Sequence, residues 1–243
     1  MLKRVQNTPA HVLHRRPYRE TSLLVDLFAQ EHGVLRAVAR GIRGGKPQAL
    51  QPFVALEVAW TGSGTLKTLT QVEITAPAMP LLTGRALYLG LYVNELLVRL
   101  LPEYDPHPKL YARYRQLLRE LTAPGDAEPL LRRFELALLA DLGYGLALDR
   151  DAQTGMRIEP DVDYVFVAGT GLVRRGAVGG DDMRHRLPGS HLLAMAAEDY
   201  TGAGVRQCAK VLLRAALAEH LGDRPLRSRE LFRKLATGGA RAP

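Results

Sequence analysis

The feature that most constrains the fold is a series of short segments, between residues 10 and 74, in which apolar and polar residues alternate. Successive side chains of a β-strand point to opposite faces of a sheet, so a period of two predicts strands. A Thr-Gly-Ser-Gly sequence at 61–64 predicts a hairpin turn. Five short strands in so few residues favour a small Greek-key barrel of the OB type over a sandwich. The predicted strands are 10–15, 22–28, 33–40, 53–60 and 66–74.

After the prolines at 77 and 80, the apolar residues recur at the spacing of a helix. Residues 146–188 are instead rich in Gly and Asp, with one strand-like run at 163–167, which indicates an irregular insert. The predicted fold is α+β: an N-terminal OB-type barrel domain (1–78), then a mainly helical domain (79–243) containing this insert. Its helices are predicted at about 83–101, 109–121, 131–142, 204–221 and 228–235.

The charge balance favours a polyanionic partner. The 243 residues include 33 Lys and Arg against 25 Asp and Glu, which gives a net charge of +8. Cations of this kind gain affinity for nucleic acids by releasing counterions from phosphates. The alternative is a basic protein from a genome that uses arginine frequently. The apolar runs are too short for a membrane span and the N-terminus lacks an apolar signal, so a cytosolic protein is expected.

A glycine-rich basic segment, Arg-Gly-Ile-Arg-Gly-Gly-Lys at 40–46, connects two predicted strands. A phosphate-binding P-loop would need a glycine where Arg40 stands and a hydroxyl residue where Pro47 stands, so that comparison fails. A flexible cationic loop beside a sheet is typical of backbone-directed binding of single strands. A solvated loop is the alternative. The interpretation assigns nucleic-acid contacts to Arg36, Arg40, Arg43 and Lys46.

Other cations extend this predicted surface. Arg15 and Arg16 precede Tyr18, which either stacks on bases or packs on its own barrel. Lys67 lies on the polar side of the last predicted strand. A further set recurs every four residues on a predicted helix, which indicates an exposed stripe that contacts DNA or is simply solvated. This set is Arg206, Lys210 and Arg214.

Arg132 and Arg133 open a predicted helix whose apolar face must pack inward. A groove between this helix and the one that carries Tyr88 and Tyr92 would combine apolar walls with guanidinium groups. Such a groove suits an acidic peptide that ends in hydrophobic residues. A purely structural helix is the alternative.

No pattern predicts catalysis, a cofactor or a metal site. The single cysteine, Cys208, excludes a disulfide within the chain and a cysteine-cluster metal site. Acidic residues between 149 and 163 lack the spacing of a calcium loop, and the histidines form no helical metal pair. Two competing hypotheses remain: a magnesium-dependent nuclease that uses these acids, and a protein-interaction adaptor without DNA affinity.

Several segments together resemble one family, the RecO recombination mediators. The matching segments lie in order along nearly the whole chain, and they are specific as a set. They include VLHRRPYRETSL at 12–23, VARGIR at 38–43, LQPF at 50–53, LKTL at 66–69, LYVNELL at 91–97, LRRFEL at 131–136, LGYG at 142–145 and PLRSRELFR at 225–233.

The resemblance implies an OB barrel and a helical domain that bind single- and double-stranded DNA and anneal complementary strands. It also implies work with RecR to load RecA onto strands coated by SSB. By motif match, Arg132 and Arg133 would hold the acidic tail of SSB. Many relatives carry a four-cysteine zinc site after the Gly-Tyr-Gly segment, and residues 149–155 here contain no cysteine. The chain therefore resembles a zinc-free branch, with an insert expected to be held by packing alone.

Overall fold

The computed structural model describes residues 4–40, 50–75, 82–177 and 185–231. A ring of five strands precedes the helices, as predicted, and residues 227–231 form a further helical turn. The strands of the ring are β1 (Arg4–Tyr18), β2 (Ser22–Ala29), β3 (Gly33–Ala39), β4 (Ala55–Thr61) and β5 (Leu66–Ile74). The later elements are α1 (Gly84–Leu100), α2 (Pro108–Leu121), α3 (Ala127–Asp141), β6 (Asp163–Val167), β7 (Gly171–Arg174), β8 (Leu187–Pro188), α4 (Gly189–Ala196) and α5 (Ala203–Leu221).

The chain divides into two compact units. The first comprises Met1–Pro124 and Arg224–Pro243, and the second comprises Gly125–Asp223. The barrel thus shares its unit with α1, α2 and the helical turn at 227–231, whereas α3, α4, α5 and the small strands form the second unit. The domain boundary predicted between residues 78 and 79 stays a prediction, since 76–81 lie outside the described residues.

The five strands close in the order β1-β2-β3-β5-β4, with β4 pairing back to β1. Every pair is antiparallel except β3–β5, which is parallel. This ring is the predicted OB-type barrel, and it closes because the outer strands β1 and β4 pair with each other. Alternate residues fill its interior, among them Val12, Val25, Leu27, Leu35, Ala37, Leu56, Val58 and the chain's single tryptophan, Trp60.

A β-bulge in β1 presents a backbone carbonyl oxygen to which α1 forms a hydrogen bond on the outside of the barrel. The β1–β2 register shifts between Val12 and His14, so Leu13 is the extra residue of the bulge. Its carbonyl oxygen accepts a hydrogen bond of 2.9 Å from the Asn94 side chain, and Asn94 in turn accepts one of 2.7 Å from the Tyr114 hydroxyl. These buried polar groups are therefore paired with one another, as burial requires.

Helix α2 covers one end of the outer face of the barrel through aromatic contacts. The ring of Phe28 meets that of Tyr111 edge to face, with centroids 5.2 Å apart. His11, 3% exposed, lies 3.1 Å from the Tyr111 hydroxyl. Burial, with a smaller effect of the Arg115 charge, lowers the pKa of His11 to about 4. His11 is therefore a neutral structural residue at physiological pH.

Glu95 of α1 holds the final described segment of the first unit. Its carboxylate accepts hydrogen bonds from the backbone N–H groups of Arg227 and Ser228, both at 2.9 Å, and from the Ser228 hydroxyl at 2.7 Å. Burial would raise the pKa of Glu95, but these bonds outweigh it and the pKa is lowered. Two segments of the family resemblance, 91–97 and 225–233, thus meet at this carboxylate.

The second unit contains a three-stranded sheet in the order β7-β6-β8, where the sequence predicted one strand. It also contains α4, which the sequence analysis missed because eight residues are too few to establish a helical period. A Cβ atom at Gly189, where α4 begins, would lie 2.0 Å from the Glu159 carbonyl oxygen, so this approach requires glycine. Leu172, Leu192, Leu212 and the buried Cys208 belong to the core of this unit.

Over the part of the chain that the structure describes, no helix combines the length and the apolarity needed to cross a membrane.

Candidate nucleic-acid interface

The end of the outer barrel face that α2 leaves uncovered carries a pocket of about 210 Å³. Arg16 on β1 pairs with Leu24 on β2, which pairs with Val38 on β3, so these residues share the outer face. Strands 2 and 3 and the turns beside them are where OB folds generally bind oligonucleotides. The pocket is lined by Arg16, Tyr18, Leu24, Arg36, Thr65, Leu66 and Glu103.

Arg36 is fixed by a carboxylate on the neighbouring strand. Its Nε donates a hydrogen bond of 2.7 Å to Asp26 Oδ1, and His14 Nδ1 lies 3.6 Å from Asp26 Oδ2. Burial would raise the pKa of Asp26, but its interactions with His14 and Arg36 outweigh this effect, so the pKa is lowered. The ionised Asp26 therefore orients the Arg36 guanidinium at the pocket.

The turn between β4 and β5 is held in place by two side chains. The Lys67 ammonium donates to the carbonyl oxygens of Gly62, at 3.1 Å, and Gly64, at 2.6 Å. It also lies 4.8 Å from the centre of the Tyr104 ring, and the Tyr104 hydroxyl donates to the carbonyl of Thr65. The Lys67 ammonium therefore binds the turn itself. Its predicted contact with DNA stays a prediction.

Tyr18 closes the opposite side of the pocket. It pairs with Ser22 across the β1–β2 turn, where Arg19 adopts a left-handed φ of 53°. The Arg19 guanidinium lies 5.3 Å from the centre of the Tyr18 ring. Tyr18 therefore has a cation on one side and lines the pocket as well, which is an arrangement that suits stacking.

Apart from Lys67, the predicted DNA-binding cations of the barrel differ in their surroundings. Arg16 and Arg40 are exposed and form no ion pair with another described residue, whereas Arg15 is half-buried. Arg36 lies at the pocket. Arg43 and Lys46 lie outside the described residues.

The predicted stripe on α5 is only partly exposed. Arg206 donates to the carbonyl oxygens of Tyr200 and Thr201, at 2.8 and 2.6 Å, so it fastens the segment before the helix. Lys210 and Arg214 are exposed and, within the described ranges, form no ion pair. They remain available to an anion.

Arg132 and Arg133 have different surroundings in the second unit. Arg132, 8% exposed, donates a hydrogen bond of 2.6 Å to Glu135, which is 1% exposed. Arg133 is exposed; it lies 3.2 Å from the Glu198 carboxylate and 5.8 Å from the centre of the Tyr200 ring. Tyr88 and Tyr92 belong to α1 in the other unit, so the predicted groove stays a prediction.

The insert of the second unit is organised by a buried carboxylate. Asp151, 4% exposed, accepts hydrogen bonds from the backbone N–H groups of Gln153, Thr154 and Arg174, at 2.9, 2.8 and 2.7 Å. The expectation that packing alone holds the insert was therefore wrong. Burial would raise the pKa of Asp151, but these bonds lower it. The described residues contain no cluster of three or more His, Cys, Asp or Glu side chains that could hold a metal ion.

The sequence analysis did not single out three residues at the pocket: Glu103, which lines it, and Asp26 and Tyr104, which hold Arg36 and the β4–β5 turn. Asp26 could have been found, because a lone acid inside an apolar strand needs a partner and Arg36 has the matching register. Glu103 and Tyr104 lie between two helices, and their approach to β3 depends on a tertiary contact. Tyr104 N donates to the carbonyl oxygen of Val34 at 2.9 Å.

Comparison with known proteins matches the whole described architecture to one family. Residues 2–78 match the model of the recombination protein O N terminal region, and residues 81–230 match that of its C terminal region. A DNA repair protein RecO from Marinobacter nauticus is 46% identical over 235 residues, which cover 94% of each chain.

Two further relatives carry the same name. The protein from Pseudomonas aeruginosa is 49% identical over 222 residues, or 91% of this chain and 92% of the relative. The protein from Aromatoleum aromaticum is 41% identical over 238 residues, or 96% and 97% respectively. The similarity thus extends over both units and over nearly the full length of each relative.

Proposed function

This chain belongs to the RecO family of DNA repair and recombination proteins, and from that premise we propose that it is a non-catalytic recombination mediator. It binds single- and double-stranded DNA, anneals complementary strands, and with RecR helps to load RecA onto single strands coated by SSB. It does this work in the cytosol, at the nucleoid, and without a cofactor. The observation that supports the proposal most is the open cationic face of the barrel, with Arg16, Arg36 and Arg40.

The proposed mechanism is electrostatic. Exposed guanidinium groups neutralise phosphates and release their counterions, which favours binding without regard to sequence. Cations on the barrel, with Lys210 and Arg214 on α5, would neutralise two strands at once. Lower repulsion between the strands then permits pairing. Because phosphates carry no sequence information, affinity depends on salt far more than on sequence.

The second unit supplies the protein contact in this proposal. The acidic tail of SSB would dock near Arg133, whose exposed guanidinium contacts the carboxylate and the backbone carbonyl oxygen of Glu198 and lies near the Tyr200 ring. Arg132 is already paired with a buried carboxylate and would support the site from within. Docking on SSB raises the effective concentration of the barrel at coated strands without any new DNA contact.

Neutralising exposed cations of the barrel should weaken binding to every DNA sequence. We expect the double substitution Arg16→Gln and Arg40→Gln to lower affinity for a single strand roughly tenfold near physiological salt, because each lost phosphate contact removes about 0.7 from the salt slope. Adding Arg43→Ala and Lys46→Ala should flatten the slope further. Fluorescence anisotropy of a labelled oligonucleotide, titrated with salt, measures both quantities.

The matched control is the pair Lys109→Gln and Arg113→Gln, which removes the same charge from exposed positions of α2 in the same unit. If control and test variants bind equally, the effect is one of net charge and the assigned face is wrong. Unchanged affinity of the test variant at low salt would also reject it.

Removing the Arg133 charge should affect the SSB tail and spare naked DNA. We expect Arg133→Gln to weaken binding of a labelled SSB tail peptide by roughly tenfold, since a charge-assisted hydrogen bond contributes about 1.5–3 kcal/mol. Affinity for single-stranded DNA should stay within a factor of about two. Arg157→Gln, at an exposed position of the same unit, is the control. Equal loss of peptide and DNA binding would disprove the division of labour between the units.

A further inference from the structure

The pocket on the barrel differs from the rest of the cationic face because it is not purely cationic. Leu24 and Leu66 give it apolar walls, and Leu66 remains 42% exposed. Tyr18 adds an aromatic ring, and Glu103 adds a carboxylate. A site that bound only phosphates would gain nothing from an exposed leucine and would be weakened by a carboxylate. The lining therefore fits a ligand with both an apolar face and hydrogen-bond donors.

The walls of this pocket are held before any ligand arrives. Asp26 fixes Arg36, and Lys67 and Tyr104 fix the turn that carries Thr65 and Leu66. The backbone of Glu103 forms a parallel bridge to Val34 on β3. Binding a ligand therefore costs little conformational entropy in the site, which raises the affinity for a ligand of matching shape.

The volume limits the ligand to a small group. About 210 Å³ lies below the roughly 300–1,000 Å³ of pockets that enclose drug-sized molecules. A single nucleobase has the required properties: a flat apolar face, and N–H donors on its Watson–Crick edge that a carboxylate accepts. The neighbouring Arg16 would meet the phosphate attached to that base.

We propose that this pocket takes one unstacked base of single-stranded DNA, with the ring against Tyr18 and Leu66 and its hydrogen-bonding edge at Glu103. The proposal rests on the proposed DNA-binding function and adds a discriminating element to it. Bases of a duplex are stacked and paired, and freeing one costs a few kcal/mol. The phosphate contacts serve both kinds of DNA, whereas the pocket favours single strands.

The direct test compares two single-stranded oligonucleotides of equal length and charge, one with normal bases and one in which every base is replaced by an abasic residue. We expect the wild-type protein to bind the abasic strand roughly fivefold to 150-fold more weakly, the range that base–aromatic stacking supports. Equal affinity for both strands would overturn the proposal. Failure to bind either strand at low salt would instead reject the proposed DNA-binding function.

Substitutions at Tyr18 then locate the effect. Tyr18→Ala should lower affinity for the normal strand, leave the abasic strand and a duplex unchanged, and so remove most of the difference. Tyr18→Phe keeps the ring and should behave like the wild type. An equal loss by Tyr18→Ala on all three DNAs would overturn the base pocket. The fluorescence of Trp60, in the barrel core, verifies that each variant is folded.

Discussion

Replacing Glu135 by alanine is expected to destabilise the second unit by about 3–5 kcal/mol, because it leaves the buried guanidinium of Arg132 without its carboxylate. The two side chains are 8% and 1% exposed, and the hydrogen bond between them is 2.6 Å long. Among the described residues, Arg132 Nε has no hydrogen-bond partner. Hydrogen exchange of the α3 amides, followed by mass spectrometry, measures the loss locally.

Two further variants separate charge from packing. Glu219→Ala removes an exposed acid from α5 and should change stability by less than about 0.5 kcal/mol. The double substitution Arg132→Met and Glu135→Leu removes both charges and should recover most of the stability, since apolar replacements of a buried ion pair are often neutral. Stability of Glu135→Ala equal to that of Glu219→Ala would contradict the account of this pair.

The same double variant also tests which of the two arginines would bind the SSB tail in the proposed function. If Arg132 binds the tail directly, the apolar pair should abolish peptide binding even though the unit is folded. If Arg133 is the binding group and Arg132 only supports it, the apolar pair should keep much of the affinity. The structure favours the second outcome, because the Arg132 charge is already compensated.

Replacing Asp151 by alanine is expected to loosen the insert by at least about 3 kcal/mol. Three backbone N–H groups would lose a charged acceptor, and each such bond contributes about 1.5–3 kcal/mol. Asp151→Asn should recover only part of this loss, because its amide presents donors to N–H groups that need an acceptor. Hydrogen exchange of residues 149–174 measures the effect.

The acid sensitivity of the insert follows from the same group. The folded-state pKa of Asp151 is lowered by its backbone hydrogen bonds. The unfolded state therefore binds the proton more tightly, so stability is present above the unfolded pKa of about 3.9 and is lost as pH falls through the folded value. His11 acts in the first unit at higher pH. With a folded pKa of about 4, it lowers stability as pH falls below its unfolded value of about 6.5. We expect Asp151→Asn to remove the loss of stability that occurs as pH falls through the folded pKa of Asp151, and to leave the loss at higher pH that His11 causes. A variant that still loses stability in the more acidic range would contradict the assignment of that loss to Asp151.

The barrel could be predicted from sequence because the alternation of apolar and polar residues within each strand is a local pattern. Alternation places Val25, Leu27, Leu35 and Ala37 inside, and the turn at 61–64 sets the hairpin. The strand boundaries were less well predicted, since β1 extends from Arg4 to Tyr18 and its pairing with β4 is not local. The cationic character of the outer face also followed from sequence, as Arg16 and Arg40 are exposed where the alternation places polar residues.

The finer structure of the site depended on contacts between distant segments. The pocket needs Glu103 and Tyr104 beside β3, and neither belongs to a periodic element. One of the hydrogen bonds to Asp151 comes from the backbone N–H of Arg174, which is 23 residues further along the chain. The burial of Arg132 could not be read from its position beside Arg133, because the two neighbours point to different surroundings on one helix.

We expect the closed cationic barrel to bind the DNA backbone through its phosphates. The most direct measurement is the affinity of the wild-type protein for single-stranded DNA of two unrelated sequences across a range of salt concentrations. With about three to five phosphates neutralised, log Kobs should fall linearly with log salt at a slope of roughly −2 to −3.5, the same for both sequences. A slope near zero, or no binding at low salt, would contradict the claim.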